Sequence, residues 1–206
     1  MTKIFYLMRH GQTRFNQQQR IQGASDSPLT ALGIEQAQAA RDYFEQEGIQ
    51  FAAVYSSTQE RAVDTAEIAS GRADIIRRKG LKEMDFGAFE GQQEFLNPPI
   101  KRDGSGYGDY FVTYGGEDSI TVRERVHTAI TEILSEHQAE QPPLIVSHGG
   151  AIAQFYRNYA KTSPQLKARI SNCAIFKMTF EDGEFDLVSI YDPVTKTFLF
   201  QNEAAD

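Results

Sequence analysis

Two apolar runs in this chain break off on the same pair of residues. KIFYLMRHG places His10 and Gly11 one residue past residues 3 to 8, and PPLIVSHGG has His148 and Gly149 after Leu144 to Ser147. Short continuous runs of β-forming apolar residues suit strands covered on both faces, which in a parallel sheet means helices above and below. Ligands of such sheets bind beyond the carboxyl ends of the strands. Polar residues that terminate these runs therefore stand where a site would be.

The intervening sequence supplies the helices. Leu29, Leu32, Ala37, Ala40 and Phe44 recur at helical spacing between Pro28 and Gly48. AAVYSS (52 to 57) reads as a second strand, Glu60 to Ala69 as a helix, and Ile75 and Ile76 as a brief further strand. Residues 87 to 116 differ in texture: glycine, proline and aromatics crowd together, which predicts an irregular excursion over a site. Helical spacing returns from Thr121 to Gln138, and a last helix is expected from about Ala151. The run NCAIFKMTFEDGEFDLVSIY reads as a hairpin turning at Glu-Asp-Gly. Alternating strands and helices predict a mostly parallel α/β sheet with helices on both faces and an antiparallel portion at the C-terminus. Residues 1–206 are read as one domain, which the length permits.

Composition narrows the function classes. A net charge of −7 opposes non-specific nucleic-acid binding, because the overall field repels phosphate backbones, but it permits a local pocket for a small anion. The lone Cys173 excludes an intrachain disulfide. Neither a signal-peptide pattern nor an apolar run of about 18 residues occurs, so a cytoplasmic protein with no membrane partner is expected. Oligomeric state is not legible in the sequence.

Arginines accompany the two strand-end histidines. Arg9 adjoins His10, and Arg61 opens the helix after AAVYSS, where unpaired N–H groups and the helix dipole already favour an anion. Guanidinium groups grip phosphate oxygens in pairs, so the set suggests an oxyanion pocket the size of one phosphoryl group. Zinc is disfavoured: a third ligand is missing from the pattern, HExxH and HxH do not occur, and arginines would repel a cation. Neutral imidazole can instead attack phosphorus while cations stabilise the equatorial oxygens. The leaving alkoxide then needs a proton, for which Glu83 in GLKEMDFGAFEG is the candidate donor.

Five segments in order resemble the histidine phosphatase superfamily, also called phosphoglycerate-mutase-like. They are RHGQTxxN (Arg9 to Asn16), GxxDxPLTxxG (Gly23 to Gly33), SSxxxRAxxTA (Ser56 to Ala66), KEMDFGxxEG (Lys82 to Gly91) and SHGG (Ser147 to Gly150). The resemblance implies a three-layer α/β/α sandwich without metal or organic cofactor. It further implies His10 as phospho-accepting nucleophile, Glu83 as proton donor, and Arg9, Arg61 and His148 as the phosphate pocket. Asn16, Gln22, Gly23 and the Gly149 backbone are implied as further substrate contacts. Cofactor-dependent phosphoglycerate mutases typically carry a tyrosine three residues after the acid, where this chain has Phe86. They also carry paired arginines in a longer insertion, where this chain has Lys101 and Arg102; and the usual GGES reads GGED at Gly115 to Asp118.

The expected activity is hydrolysis of a small phosphorylated metabolite through a phosphohistidine. A phosphoglycerate-mutase-type transfer is the rival within the family. A non-catalytic domain that binds phosphorylated ligands is the rival outside enzymes, and the presence of both His10 and Glu83 argues against it.

Overall fold

The computed structural model describes residues 2–101, 106–166 and 169–202. Arg102 lies outside them. The first strand, β1 (Lys3–Arg9), divides its side chains between two cores: Phe5 and Leu7 face one, Tyr6 and Met8 the other. This period-two split places β1 at the centre of a sheet covered on both sides.

One turn of helix, α1 (Arg14–Gln17), follows His10, then α2 (Ala31–Gln46), β2 (Val54–Ser57), α3 (Glu60–Ser70) and β3 (Ile76–Arg78). After a stretch of short 3-10 turns come α4 (Ser119–Glu136), β4 (Leu144–Ser147), α5 (Gly149–Tyr159) and three strands, β5 (Ile175–Glu181), β6 (Glu184–Asp192) and β7 (Thr197–Gln201). The seven-stranded sheet runs β3-β2-β4-β1-β5-β6-β7. Its first four strands are mutually parallel, and β5 to β7 continue it as an antiparallel meander. Helices α2 and α3 cover one face through Ala37, Ala40, Phe44, Ala62 and Ala66. Helices α4 and α5 cover the other through Val122, Val126, Ile130, Ile152 and Phe155. The architecture is the α/β sandwich expected. Each fully buried aliphatic or aromatic side chain contributes about 1.5–3 kcal/mol, and that sum offsets the cost of burying the charged and imidazole groups described below.

Element ends depart from the sequence expectations for identifiable reasons. Thr30 caps α2 by accepting the Gly33 N–H, so the helix begins at Ala31 and Pro28 stays outside it. Asp118 caps α4, accepting from Ile120 and Thr121 N–H, so that helix begins at Ser119; this is what the aspartate of GGED does. Strand β7 was not anticipated: TFLFQ is largely exposed and lacks apolar-polar alternation. His127 stacks on Tyr159 at 4.0 Å between ring centroids. Among the described residues no helix is long and apolar enough to cross a membrane.

The described residues of the 87–116 segment are irregular but well packed. Phe111 is fully buried at its centre, with Phe86, Phe89, Tyr107 and Tyr110 packed edge-on at 4.9–5.4 Å between ring centroids. Four aromatic contacts on one ring make the segment a small core of its own. Its Tyr107 also reaches the cavity at the sheet edge, whereas Phe95 is 82% exposed.

Candidate active site

Parallel register brings the two histidines together. Arg9 at the end of β1 pairs with Ser147 at the end of β4, so the next residues, His10 and His148, emerge side by side with ring centroids 5.1 Å apart. His10 is 4% exposed and His148 fully buried. A cavity of about 230 Å³ opens above them, bordered by Arg9, His10, Asn16, Gln22, Glu83 and Gly149 among others. Arg61 and His148 lie beneath its floor, both without exposed surface.

His10 is held in one orientation and one charge state. Its Nδ1 lies 2.7 Å from the Gly11 carbonyl oxygen, an acceptor only, so Nδ1 carries the proton and Nε2 keeps its lone pair. Burial, and then the cations Arg61 and Arg9, push its pKa well below the usual histidine value. Burial, with Arg61 and His10 beside it, does the same to His148. His148 Nε2 lies 2.7 Å from Ser57 Oγ, which also accepts the Gln59 N–H. With the Ser57 hydroxyl donating to Nε2, the His148 proton sits on Nδ1.

Three nitrogens in this group are buried with no protein partner: Arg9 Nε, Arg61 Nε and His148 Nδ1. Buried donors of this kind are costly unless a ligand or water meets them. Two belong to guanidinium groups and the third is an imidazole N–H, so together they suit an oxyanion. Burial lowers the pKa of both arginines, with Glu83 opposing at Arg9 and Asp26 at Arg61, yet a guanidinium stays charged at neutral pH. Arg61 is steered by the loop before α2: Nη1 donates to the Ser25 carbonyl and to Asp26 Oδ1, both at 2.9 Å, and Nη2 to the Gly23 carbonyl at 2.9 Å.

Glu83 faces the start of α5. Its Oε1 accepts N–H groups from Met84 and Ala151, while Oε2 accepts only that of Gly150, at 2.8 Å. A carboxylate oxygen offers two acceptor sites, so Oε2 is the one with a site left to take or carry a proton. Gly150 is required for this approach: a Cβ there would stand 2.7 Å from Glu83 Oε1. Gly11 likewise serves close packing and not a left-handed turn, since its Cβ would fall 2.5 Å from the Gly33 carbonyl oxygen and its φ is not positive.

The remaining expected contacts divide. Asn16 closes a reciprocal cap on α1: Thr13 Oγ1 accepts its N–H and its Oδ1 accepts that of Thr13, which leaves Nδ2 for a ligand. Gln22 borders the cavity but its amide is engaged by Thr13 and Ser27. Gly23 does not line the cavity; its carbonyl supports Arg61 and Gln59. Residues not foreseen include Asp26, Ser57 and Glu90, whose carboxylate accepts the N–H groups of Gly23, Ala24, Ser25 and Phe86. The acidic residues within GxxDxP and FGxxE were the available signal for Asp26 and Glu90. Among the described residues no group of three or more His, Cys, Asp or Glu side chains could hold a metal ion.

The depressed histidine pKa values carry a pH prediction. As pH falls below about 6.5 the unfolded chain takes up these protons before the folded one does, so stability is complete above that value and declines beneath it. The loss is at most about 1.4 kcal/mol per histidine for each pH unit. Guanidinium unfolding at pH 7.5 and 5.5 should give a lower midpoint at 5.5, and His148→Asn should shrink the difference. An unchanged difference in that variant would show that His148 does not titrate in this way.

Comparison with known proteins gives a consistent picture. The probable phosphoglycerate mutase GpmB of Proteus mirabilis is 32% identical over 190 residues, 86% of this chain and 85% of that protein. Among solved structures, a phosphoglycerate mutase from Bacillus anthracis superposes with a TM-score of 0.78 at 26% identity, covering 90% of this chain and 91% of its own. A phosphoserine phosphatase from Entamoeba histolytica, in complex with 3-phosphoglyceric acid, gives 0.74 at 26% identity, covering 91% and 96%. A family model described as the histidine phosphatase superfamily (branch 1) matches residues 5–193, and the chain belongs to that superfamily.

Proposed function

We propose that the protein hydrolyses a small phosphomonoester through a phosphohistidine on His10. The observation that carries this reading is His10 with its Nδ1–H fixed on the Gly11 carbonyl and its Nε2 lone pair free, near the buried Arg61 and the partly buried Arg9. In the first step Nε2 forms a bond to phosphorus as the ester P–O bond breaks, and the leaving alkoxide takes a proton from Glu83 Oε2. In the second step a water oxygen attacks phosphorus, the N–P bond breaks, and the water's proton passes to Glu83 Oε2. Arg9, Arg61 and the His148 Nδ1–H hold the equatorial oxygens throughout, where preorganised donors act most strongly.

A mutase reading is favoured by the naming of the Proteus mirabilis relative. Hydrolysis is favoured by the exposure of Arg157 and Arg169, which puts the margin of the cavity in contact with solvent. Phe86 borders the cavity where mutases of the family typically carry tyrosine. The discriminating experiment supplies 3-phosphoglycerate with a trace of its bisphosphorylated primer, in the presence of EDTA, and follows both products by phosphorus NMR. Inorganic phosphate should accumulate faster than the 2-phospho isomer. Isomerisation outpacing phosphate release would establish the mutase instead, and absence of either product with any of a panel of phosphomonoesters would support a binding domain.

A further inference from the structure

Gln59 stands at the start of α3, yet its side chain does nothing for that helix. N-terminal caps are made by side chains that turn back onto the first free N–H groups, and Gln59 makes no such bond. It is 5% exposed and does not line the cavity. A buried carboxamide is costly unless its polar atoms are met, so its partners indicate its task.

Those partners lie on both walls of the site. Gln59 Nε2 donates to the Gly23 carbonyl, the same oxygen that accepts Arg61 Nη2 at 2.9 Å. Gln59 Oε1 accepts the buried Glu83 N–H at 3.0 Å. With Nε2 committed to a carbonyl, the amide has one orientation, and Oε1 is the atom turned to Glu83. The walls are in direct contact here, since a Cβ on Gly23 would stand 1.9 Å from the Met84 carbonyl oxygen. On its other side the Glu83 backbone is held by Arg125, whose Nη2 donates to the Glu83 carbonyl at 2.9 Å. Both backbone polar groups of Glu83 are thus taken by side chains, and Gln59 is the one that joins them to the loop around Arg61.

We propose that Gln59 is a positioning residue: it ties the backbone of Glu83 to the loop that steers Arg61, and so sets the Glu83 carboxyl against the leaving oxygen of a phosphoryl group held in the pocket. This rests on the reading of Glu83 as the acid of a phosphohistidine phosphatase. Without Gln59 Oε1 the Glu83 N–H is left buried and unpaired, a state the segment relieves by shifting. A displacement of about 1 Å is enough to cost about 100-fold in rate. Arg61 keeps Asp26 and the Ser25 and Gly23 carbonyls, so the phosphoryl pocket survives the loss of Gln59.

The test compares kcat/KM for two esters: glycerol 3-phosphate, whose alkoxide needs a proton to leave, and 4-nitrophenyl phosphate, whose phenolate leaves without one. Both values report the first step alone, so the later use of Glu83 as base does not enter. Gln59→Met is close in length but lacks both hydrogen bonds; it should lower the value for glycerol 3-phosphate about 10- to 100-fold and that for 4-nitrophenyl phosphate less than about threefold. Glu83→Gln should shift the same ratio further, and adding Gln59→Met to it should change the ratio by less than about twofold, because an absent acid cannot be misplaced. Thermal melts check folding, and Gln59→Leu repeats the comparison as a second variant. Equal losses with both esters in folded Gln59→Met or Gln59→Leu protein, or losses that multiply with those of Glu83→Gln, overturn the positioning role while leaving the phosphatase reading intact. An unchanged ratio in Glu83→Gln protein overturns the acid assignment, and parent protein that releases phosphate from neither ester at millimolar concentration overturns the phosphatase reading; the positioning role falls with either.

Discussion

His10→Ala should reduce phosphate release by about 10⁴-fold or more while leaving the fold in place. The size of the loss follows from the role proposed: without Nε2 there is no covalent intermediate, and the remaining groups can only assist direct attack by water. Folding should survive because the ring makes one hydrogen bond, to its neighbour Gly11, and the sheet is held by pairings that do not involve the imidazole. Steady-state phosphate release and a thermal melt check the two halves. Activity within tenfold of the parent protein would remove His10 from the mechanism.

Arg61→Met should damage both catalysis and stability. Removing one preorganised cation from the equatorial oxygens costs about 10²–10³ in kcat. Stability should fall by about 2–4 kcal/mol, somewhat under the usual figure for breaking a buried pair, because the partner Asp26 is 27% exposed and can recover part of its hydration. The carbonyl groups of Gly23 and Ser25 would also lose their charged donor, so the loop before α2 should loosen. Asp26→Asn should be milder, since both carbonyls still hold the guanidinium. Denaturant unfolding paired with kcat measurements tests this, and an Arg61→Met protein as stable as its parent would contradict the network described.

What could be read from the sequence was set by chain-local pattern. Residues 4 to 8 and 144 to 146 are apolar because both faces of their strands are covered, and the polar residues that end them are conspicuous for that reason. Parallel pairing then places His10 beside His148 without further information. Arg61 was legible as a residue type at a helix start, but its burial and its partners Asp26, Gly23 and Ser25 depend on how the loop before α2 folds back, which no local pattern encodes. Asn16 looked like a ligand donor, although Thr13 three residues earlier spelled a reciprocal helix cap. The missing side chain of Gly11 admits the backbone of Gly33, a contact across the chain that no local pattern encodes. Strand β7 escaped because an exposed edge strand needs no alternation.

The central claim, that the phosphoryl group is carried by His10, is tested most directly by trapping with an alkaline quench. Protein mixed with a 32P-labelled phosphomonoester and denatured within milliseconds should retain label that is stable in alkali and lost in mild acid, as a nitrogen-phosphorus bond requires. Peptide mapping should place that label on the peptide containing His10, and His10→Ala protein should retain none. Label that is stable in acid, or that persists in His10→Ala protein, would contradict the account.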